Sequence, residues 1–333
     1  MKTRYLLALL CAVLWSSVAH AQGFPTLPPV PKTPQLADDP TQTIFTFIAA
    51  GDNRPANSKS PQPATLSQLL KDSKQHNPTF IIWSGDTIAG FRTAGQPMHK
   101  PTLEKQYKKF FKIAATAGVP IFNTPGNHEM DVISHPSKNE NVETPDDKMQ
   151  ALYLKMMEYP ANAPAYGAFN YGNSRFIAVD TEEVPPITAV RSEGETVAKK
   201  LKLDPGFVSP QQIELLTADL EANKTKAHIF VFMHHPIQPL KKSMRLNKEN
   251  ADVLEKLFAN YPNVSYVIAA HEHLYFNAGG GKGAPIYVVS GGAGAPLGKC
   301  PKHAGKNCSD SHHYLVFKVN GSSVTMKMVK LKS

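Results

Sequence analysis

Short apolar runs, each bounded by turn-forming residues, constrain the fold of this chain more than any other feature. Such runs are typical of strands buried on both faces of a sheet. Between several of them, apolar residues recur with the period of a helix, as over Leu103–Ala114 and Met149–Met156. This alternation predicts an α/β fold with two mixed β-sheets in a sandwich flanked by helices. The predicted strands are Ile44–Ala50, Phe80–Trp83, Val119–Phe122, Phe176–Val179, Ile229–Met233, Val264–Ala270 and Ile286–Val289.

Local signals mark a helix start, a hairpin and a long loop. Ser209-Pro210-Gln211-Gln212 combines an N-cap, a first-turn proline and a capping-box glutamine, which predicts that a helix begins there. A terminal β-hairpin is expected around Asn320-Gly321. Residues 182–208 lack apolar periodicity and predict a long surface loop, and loops of that length are often either lids or disordered segments.

The first 42 residues have the features of targeting and linking segments. Residues 1–21 combine basic residues, an apolar run and a small-x-small site, so we expect a signal peptide cleaved after Ala21 and a periplasmic or secreted protein. The apolar run is shorter than the roughly 20 residues that span a bilayer, and no later run is longer. We therefore expect no transmembrane segment. The prolines of residues 22–42 predict an extended tether ahead of a folded domain over 43–333.

Charge and cysteines narrow the class of partner and the compartment. The net charge of +9 favours anionic substrates through electrostatic steering. The lysines are spread along the chain without a nucleic-acid-binding motif, so we expect no dedicated nucleic-acid binding. After signal cleavage the remaining cysteines are Cys300 and Cys308, which predict a disulfide in an exported protein. The sequence leaves the oligomeric state open.

Five polar segments each follow one of the predicted strands directly. Because the carboxyl ends of neighbouring strands meet in one crevice of an α/β sheet, these segments can converge. Carboxylates, an amide carbonyl and imidazoles suit Mn, Fe or Zn better than Ca²⁺ or a structural zinc site. A shared carboxylate can bridge two ions about 3.5–4 Å apart, and Asp86 is our candidate for it. The segments are Gly51-Asp52-Asn53-Arg54, Gly85-Asp86, Gly126-Asn127-His128-Glu129, His234-His235-Pro236 and His271-Glu272-His273.

The order of these segments resembles the signature of the calcineurin-like metallophosphoesterase superfamily, over essentially all of residues 43–295. Phe169–Asn173 and Val288–Gly292 are similar to its purple acid phosphatase branch. The resemblance implies the calcineurin-like phosphoesterase fold and a metallophosphoesterase domain over 43–333. It also implies hydrolysis of a small phosphorylated substrate by in-line attack of a hydroxide that bridges two metal ions.

The same resemblance assigns roles to individual side chains. One metal would be held by Asp52 and His273, and Asp86 would bridge both metals. His128 would contact the phosphoryl oxygen and, when protonated, supply a proton to the leaving alkoxide. The remaining ligands, which would hold the second metal, are Asn127, His234 and His271.

Two positions depart from the family pattern. Arg54 stands where many members have a histidine ligand, and arginine cannot bind a metal because it stays protonated. It would either grip a phosphate oxygen, as a catalytic and substrate-binding group, or form a salt bridge, and the sequence leaves both open. Ala89 stands where purple acid phosphatases have the tyrosine that ligates iron, so their colour should be absent.

Further polar residues near the segments are weaker candidates. Asn53 and Tyr275 are expected on the substrate side. Glu129 or Glu272 would orient the ligand imidazoles or lie at the surface. His312-His313 begins a predicted strand and could reach the rim of the site.

The leading hypothesis is an exported dinuclear-metal phosphoesterase. Phosphomonoesters are the first choice of substrate, because an export context suits phosphate scavenging. A phosphodiesterase or nucleotide hydrolase with the same site comes second. A non-catalytic protein that binds metal or phosphate is the alternative from another class.

Overall fold

The computed structural model describes residues 23–37, 39–92, 97–133, 143–160, 163–184, 206–280 and 283–332. Within them, two mixed β-sheets pack face to face. The predicted signal peptide and most of the predicted 182–208 loop lie outside the described residues.

The smaller of these two sheets contains the first three strands and the last two. They are β1 (Ile44–Ala50), β2 (Phe80–Ser84), β3 (Ile121–Thr124), β13 (His313–Asn320) and β14 (Ser323–Lys330). Strands β1, β2 and β3 are parallel, whereas β13 pairs antiparallel with β1 and with β14, in the predicted hairpin. The strand order is β14-β13-β1-β2-β3.

The larger sheet contains β6 (Gly167–Tyr171), β7 (Ser174–Ala178), β8 (His228–Phe232), β9 (Val264–Ala269), β10 (Tyr275–Gly279), β11 (Ile286–Ser290) and β12 (Cys308–Ser309). Its order is β12-β10-β11-β9-β8-β7-β6, with β7, β8, β9 and β11 parallel. A small separate pair consists of β4 (Asp131–Ile133) and β5 (Glu143–Pro145). The prediction of two mixed sheets is confirmed.

Helices flank the sheets, as the periodic stretches predict. They are α1 (Ala64–Ser73), α2 (Lys100–Ala114), α3 (Asn127–Met130), α4 (Asp147–Met156), α5 (Pro210–Ala222) and α6 (Lys248–Ala259). Helix α5 begins at the predicted site, where the Ser209 hydroxyl accepts the backbone N–H of Gln212. Among the described residues, none of the helices combines the length and apolar character that crossing a membrane requires.

Aromatic rings fill the space between the two sheets. Phe47 of β1 stacks on Phe317 of β13 with ring centroids 4.7 Å apart, and it meets Phe230 of the larger sheet at 4.9 Å. All three side chains are fully buried. Each such ring removes roughly 150–250 Å² from water. This dense core fixes the strands and therefore the positions of the polar segments that follow them.

The part of the predicted tether that the structure describes is extended but packed against the sandwich. Phe24, Leu27 and Val30 are buried, and the Leu27 N–H donates to the Ala168 carbonyl of β6 at 3.1 Å. The prolines explain the extended backbone. Because prolines are so frequent here, the three-residue spacing of the apolar side chains is easily overlooked in the sequence. Three residues is the period of polyproline II, so side chains at this spacing lie on one side of the segment, the side that is buried. The tether prediction is corrected accordingly for this segment.

Candidate metal centre

Parallel strands carry the candidate ligands to one edge of the sandwich. In the smaller sheet, Asp52, Asp86 and Asn127 follow β1, β2 and β3. In the larger sheet, His234 and His271 follow β8 and β9. The two edges are joined directly, because the backbone N–H of His271 donates to Asp52 Oδ2 at 2.7 Å.

One group of donor atoms consists of Asp52, Asp86 and His273, whose oxygens and ring nitrogen all lie within 4.8 Å of one another. His273 Nδ1 donates to the Pro296 carbonyl at 2.9 Å, so its Nε2 carries a lone pair that faces Asp52 Oδ1 at 3.6 Å. Among the described residues, Asp52 Oδ1 is buried and accepts no hydrogen bond. A cation would satisfy both atoms.

A second group surrounds His234. Its Nδ1 donates to the Ser84 carbonyl at 2.8 Å, which leaves a lone pair on Nε2. That nitrogen lies 2.9 Å from Asn127 Oδ1, 3.5 Å from Asp86 Oδ1 and 3.2 Å from His271 Nδ1. Asn127 Oδ1 and Asp86 Oδ1 also carry lone pairs that face this nitrogen, so one cation could bind several of these atoms at once.

The spacing of these atoms fits transition-metal ligation. Ligand atoms about 2.0–2.2 Å from one ion lie roughly 3–3.6 Å from each other. The contacts of the second group, at 2.9 to 3.5 Å, are close to that size, and the first group contains one pair at 3.6 Å within an overall spread of 4.8 Å. Asp86 belongs to both groups. Imidazole nitrogens mixed with carboxylate and amide oxygens suit Mn, Fe or Zn. The residues present therefore fit two metal ions that share Asp86.

Burial shapes the protonation of this cluster. It raises the pKa of Asp52 to about 8, even though Arg54 opposes the shift. Burial, followed by repulsion from Asp52 and Glu129, raises the pKa of Asp86 well above its ordinary value. Burial also lowers the pKa of His234 and of His271, which keeps both rings neutral. Neutral imidazoles and closely spaced carboxylates are ready to bind a cation, which would ionise the two acids.

Backbone strain is concentrated at the same residues. Asp52, Asp86, His271 and His273 all have positive φ, at 61°, 55°, 69° and 51°. Non-glycine residues rarely adopt this region, and such positions cost about 1–3 kcal/mol each. Position 291, next to Asp52 in space, must be a glycine, because a Cβ there would lie 2.3 Å from Asp52 Oδ2. The strained backbone positions therefore coincide with candidate metal ligands.

Comparison with known proteins places this geometry in a family. The protein-family model for calcineurin-like phosphoesterases matches residues 45–275. The chain belongs to the calcineurin-like phosphoesterase family. The resemblance found in the sequence is thereby confirmed, and the protein is a metal-dependent phosphoesterase.

Solved structures agree on the fold. The phosphoesterase is similar to a dimetal phosphatase from Danio rerio, with 16% identity, 88% of this chain and 98% of that chain covered, and a TM-score of 0.60. It is also similar to GAP50, the anchor in the inner membrane complex of Plasmodium, with 15% identity, coverage of 88% and 86%, and a TM-score of 0.54. No curated protein sequence matches the chain.

Two glutamates of the phosphoesterase hold loops and do not orient the imidazoles, which corrects that alternative. Glu129 is fully buried, and its carboxylate accepts backbone N–H groups of the turn that carries Asp86, including those of Thr87 and Ile88. Glu272 accepts the N–H groups of Leu240 and Lys241 at 2.7 and 2.8 Å. Neither role was evident from the sequence, because the backbone partners are distant along the chain.

His128 is fixed beside the second group. Its Nδ1 donates to the Ala89 carbonyl at 2.7 Å, and its Nε2 lies 3.8 Å from Asp86 Oδ2. The ring of Phe91 packs against it with centroids 4.0 Å apart. Burial, then the charge of Arg54, lowers the pKa of His128 well below its ordinary value. Sequence reasoning missed Phe91, since nothing marks an aromatic residue in a loop as a neighbour of this imidazole.

Arg54 is within reach of the candidate bridging carboxylate. Its Nε lies 3.5 Å from Asp86 Oδ2, on the oxygen that also faces His128. The side chain is 19% exposed, so it borders the solvent side of the cluster. The two sequence alternatives for Arg54 are therefore compatible, because the guanidinium has further N–H groups beyond Nε.

Two candidate substrate contacts take other positions. Asn53 is fully buried and donates to Gln62 Oε1 at 2.9 Å, which ties together the loops after β1 and β2. Tyr275 begins β10 and points into the apolar core between the sheets. The structure thus gives both side chains packing or hydrogen-bond partners within the protein, and their contact with substrate stays a prediction.

The histidines next to the motifs also have local partners. His312 Nδ1 donates to the Gly292 carbonyl at 3.1 Å, and His313 is fully buried against the same glycine. His235, which the sequence left without a role, packs its ring 4.0 Å from that of His271 and bonds to Glu182 through Nδ1. The signal for His235 was its place next to His234, but only the fold reveals Glu182.

Proposed function

We propose that this phosphoesterase hydrolyses phosphomonoesters outside the cytoplasm. The observation that carries the proposal is the convergence of carboxylate, amide and imidazole atoms around Asp86, with Arg54 and His128 both facing Asp86 Oδ2 at 3.5 and 3.8 Å. Asp86 thus lies in contact both with the proposed metal ligands and with the two groups that would contact substrate.

The proposed metal ligands divide into two sets. Asp52 and His273 hold one ion, Asp86 is shared, and the second ion is held by Asn127, His234 and His271. The donor chemistry supports Mn, Fe or Zn. When bound, two such ions supply a nucleophile at neutral pH and neutralise charge on the phosphoryl oxygens.

His128 and Arg54 act on the substrate itself in this proposal. With Nδ1–H donated to Ala89, the atom of His128 that gives a proton to the leaving oxygen is Nε2. Because the pKa of His128 is lowered, Nε2 is unprotonated in the free protein and must first take up a proton when the phosphate ester binds. Arg54 presents its remaining N–H groups to a phosphoryl oxygen, where they stabilise the charge of the transferring group. Phe91 keeps the imidazole in place by packing on its ring.

Arg54 supports the choice of monoesters. In many relatives of the superfamily a neutral imidazole would occupy this position, whereas Arg54 adds a fixed positive charge. A phosphomonoester carries about −1.5 to −2 charges at neutral pH, and a diester carries one fewer ionisable oxygen. The extra cation therefore stabilises a bound monoester more than a bound diester.

Export is supported by two features. The first 21 residues have the pattern of a cleaved signal peptide. The structure also contains the Cys300–Cys308 disulfide, and disulfides persist in oxidising compartments. Mass spectrometry of the protein recovered from the periplasm or medium should give a mature chain that begins at Gln22.

The test of the activity is a substrate panel. Metal-free protein would be reloaded with Mn²⁺, Zn²⁺ or Fe, and kcat/KM measured on matched nitrophenyl monoesters and diesters and on nucleotides. We expect the monoesters to have the highest kcat/KM. A preference for diesters or nucleotides would replace the substrate class, and two bound metals without hydrolysis of any ester would indicate a binding protein.

A further inference from the structure

His273 is the least enclosed residue of the first donor group. Its side chain is 18% exposed, whereas those of Asp52 and Asp86 are 0% and 1% exposed. It lies in the turn between β9 and β10 with a φ of 51°, outside any strand or helix. The orientation of the His273 side chain must therefore be set by contacts with another part of the chain.

A loop formed by residues 295–308 supplies those contacts. The Pro296 carbonyl accepts the Nδ1–H of His273 at 2.9 Å, and the Gly298 N–H donates to the His273 carbonyl at 2.9 Å. The loop begins at the other ligand of the same group, since the Ala295 N–H donates to the Asp52 carbonyl at 2.8 Å. The 295–308 loop thus connects the two residues proposed to hold the first metal.

Apolar packing contributes little to this loop. From Pro296 to Cys308 none of the residues is buried, and most of 302–307 is exposed. A segment with so few buried contacts has low local stability. Its covalent closure is the Cys300–Cys308 disulfide. Cys308 pairs with Phe276 of β10, three residues beyond His273, so the bond ties the loop to the strand that follows the ligand.

We propose that the Cys300–Cys308 disulfide is a positioning element of the metal centre, which holds Pro296 against His273 and so completes the first metal site. The inference rests on the proposed function for the assignment of the ligands. The first ion should depend strongly on the position of His273. Arg54 cannot bind a metal, so Asp52, Asp86 and His273 are the proposed protein ligands of that ion.

Metal loading would then be coupled to export. The disulfide forms by thiol–disulfide exchange, in which the two cysteine thiols lose two electrons and two protons to a protein disulfide, which is reduced to two thiols. Before this reaction the part of the loop from Pro296 to Cys308, in which no residue is buried, is held mainly by hydrogen bonds. The first site therefore acquires its full affinity in an oxidising compartment.

The test is a metal titration, which does not depend on turnover. Metal-free parent and the Cys300→Ser/Cys308→Ser variant are titrated with Co²⁺, by calorimetry and visible absorption. We expect two tight equivalents in the parent. In the variant one equivalent should keep its affinity and spectrum, and the other should weaken about 10–100-fold. The matched control is Lys306→Ser, an exposed change in the same loop that keeps both cysteines.

A second variant keeps the inference testable if the serine variant does not fold. Gly298→Ala retains the disulfide, but its Cβ would lie 2.7 Å from the Glu272 carbonyl and would push the loop away from His273. It should also weaken one equivalent selectively. Parental affinities in the variants, or equal weakening of both equivalents, would overturn the inference. A parent that binds two metals but hydrolyses no ester would refute the proposed function alone.

Discussion

The Glu129 carboxylate accepts the backbone N–H of Asp86 at 2.8 Å, so the candidate bridging ligand is held through its own main chain. The same carboxylate accepts the N–H groups of Thr87 at 2.7 Å, Ile88 at 3.1 Å and Gly126 at 2.8 Å. One buried acid therefore joins the turn after β2 to the turn after β3, and these turns carry Asp86 and Asn127.

Glu129→Gln should destabilise the protein, because an amide offers one acceptor oxygen and turns an NH₂ group toward buried N–H donors. We expect the free energy of unfolding to fall by roughly 2–4 kcal/mol, measured by urea denaturation. Glu221→Gln, on the exposed face of α5, is the matched control and should change it by at most about 0.5 kcal/mol. Similar losses in both variants would contradict this role for Glu129.

Arg54→Lys should retain both metals and lower kcat/KM on monoesters by about ten- to a hundredfold, because an ammonium does not reproduce the guanidinium fork. The loss should be smaller on diesters. Arg175→Lys is the control, since Arg175 makes a bidentate pair with Asp219 away from the metal centre. If Arg54→Lys is as active as the parent, Arg54 serves the salt bridge to Asp86 and does not contact substrate.

The metal-free protein should lose stability between pH 6.5 and pH 8. The raised pKa values of Asp52 and Asp86 mean that the folded state binds more protons than the unfolded chain there, so the free energy of unfolding falls as pH rises. The slope is about 1.4 kcal/mol per pH unit for each such proton. The buried histidines have lowered pKa values and act in the opposite direction, but only below their ordinary value of 6.5.

Denaturation of chelator-treated protein across this pH range would measure the effect. In the metal-loaded protein the decline should be smaller, because bound cations keep Asp52 and Asp86 ionised, and the part that remains comes from other buried acids such as Asp180. A metal-free protein whose stability is constant from pH 6.5 to pH 8 would show that the two acids are not protonated in the folded state.

His128→Ala should keep both metals and lower turnover by about 10²–10⁴. The loss should increase with the pKa of the leaving alcohol, because a poor leaving group has the greatest need of a proton. A series of aryl and alkyl phosphates would give this dependence. A loss that is equal for all leaving groups would assign His128 to binding of the phosphoryl oxygen alone.

The fold was accessible from the sequence because its strands are marked locally. Ile44–Ala50 is a run of apolar residues broken by Thr46, between polar turns, and the strand has those bounds. Ser209 and Pro210 likewise mark the start of a helix by chemistry that needs no distant partner. Phe24 and Leu27 lie in a segment that its prolines predict to be a tether, and their burial depends on contacts with Tyr166 and with Ala168 of β6, far along the chain.

The residues of the candidate site could likewise be predicted from the sequence. The ligands follow strand ends, so parallel topology brings Asp52 and Asp86 together at one end of the smaller sheet, and the packing of the two sheets adds His234 from the larger one. What supports them is not visible locally. The Glu129 contacts and the Pro296 carbonyl on His273 each join residues that only the three-dimensional fold makes neighbours. The individual catalytic and ligand roles stay predictions until they are measured.

The most direct test of the account is the metal content of the parent and of Asp86→Asn, measured by elemental analysis after reconstitution and dialysis. Asp86 is the residue that both donor groups share, so one substitution should weaken both ions. The account predicts two equivalents per chain in the parent, and less than one equivalent in the variant together with loss of phosphoesterase activity. Two full equivalents and parental turnover in Asp86→Asn would contradict it.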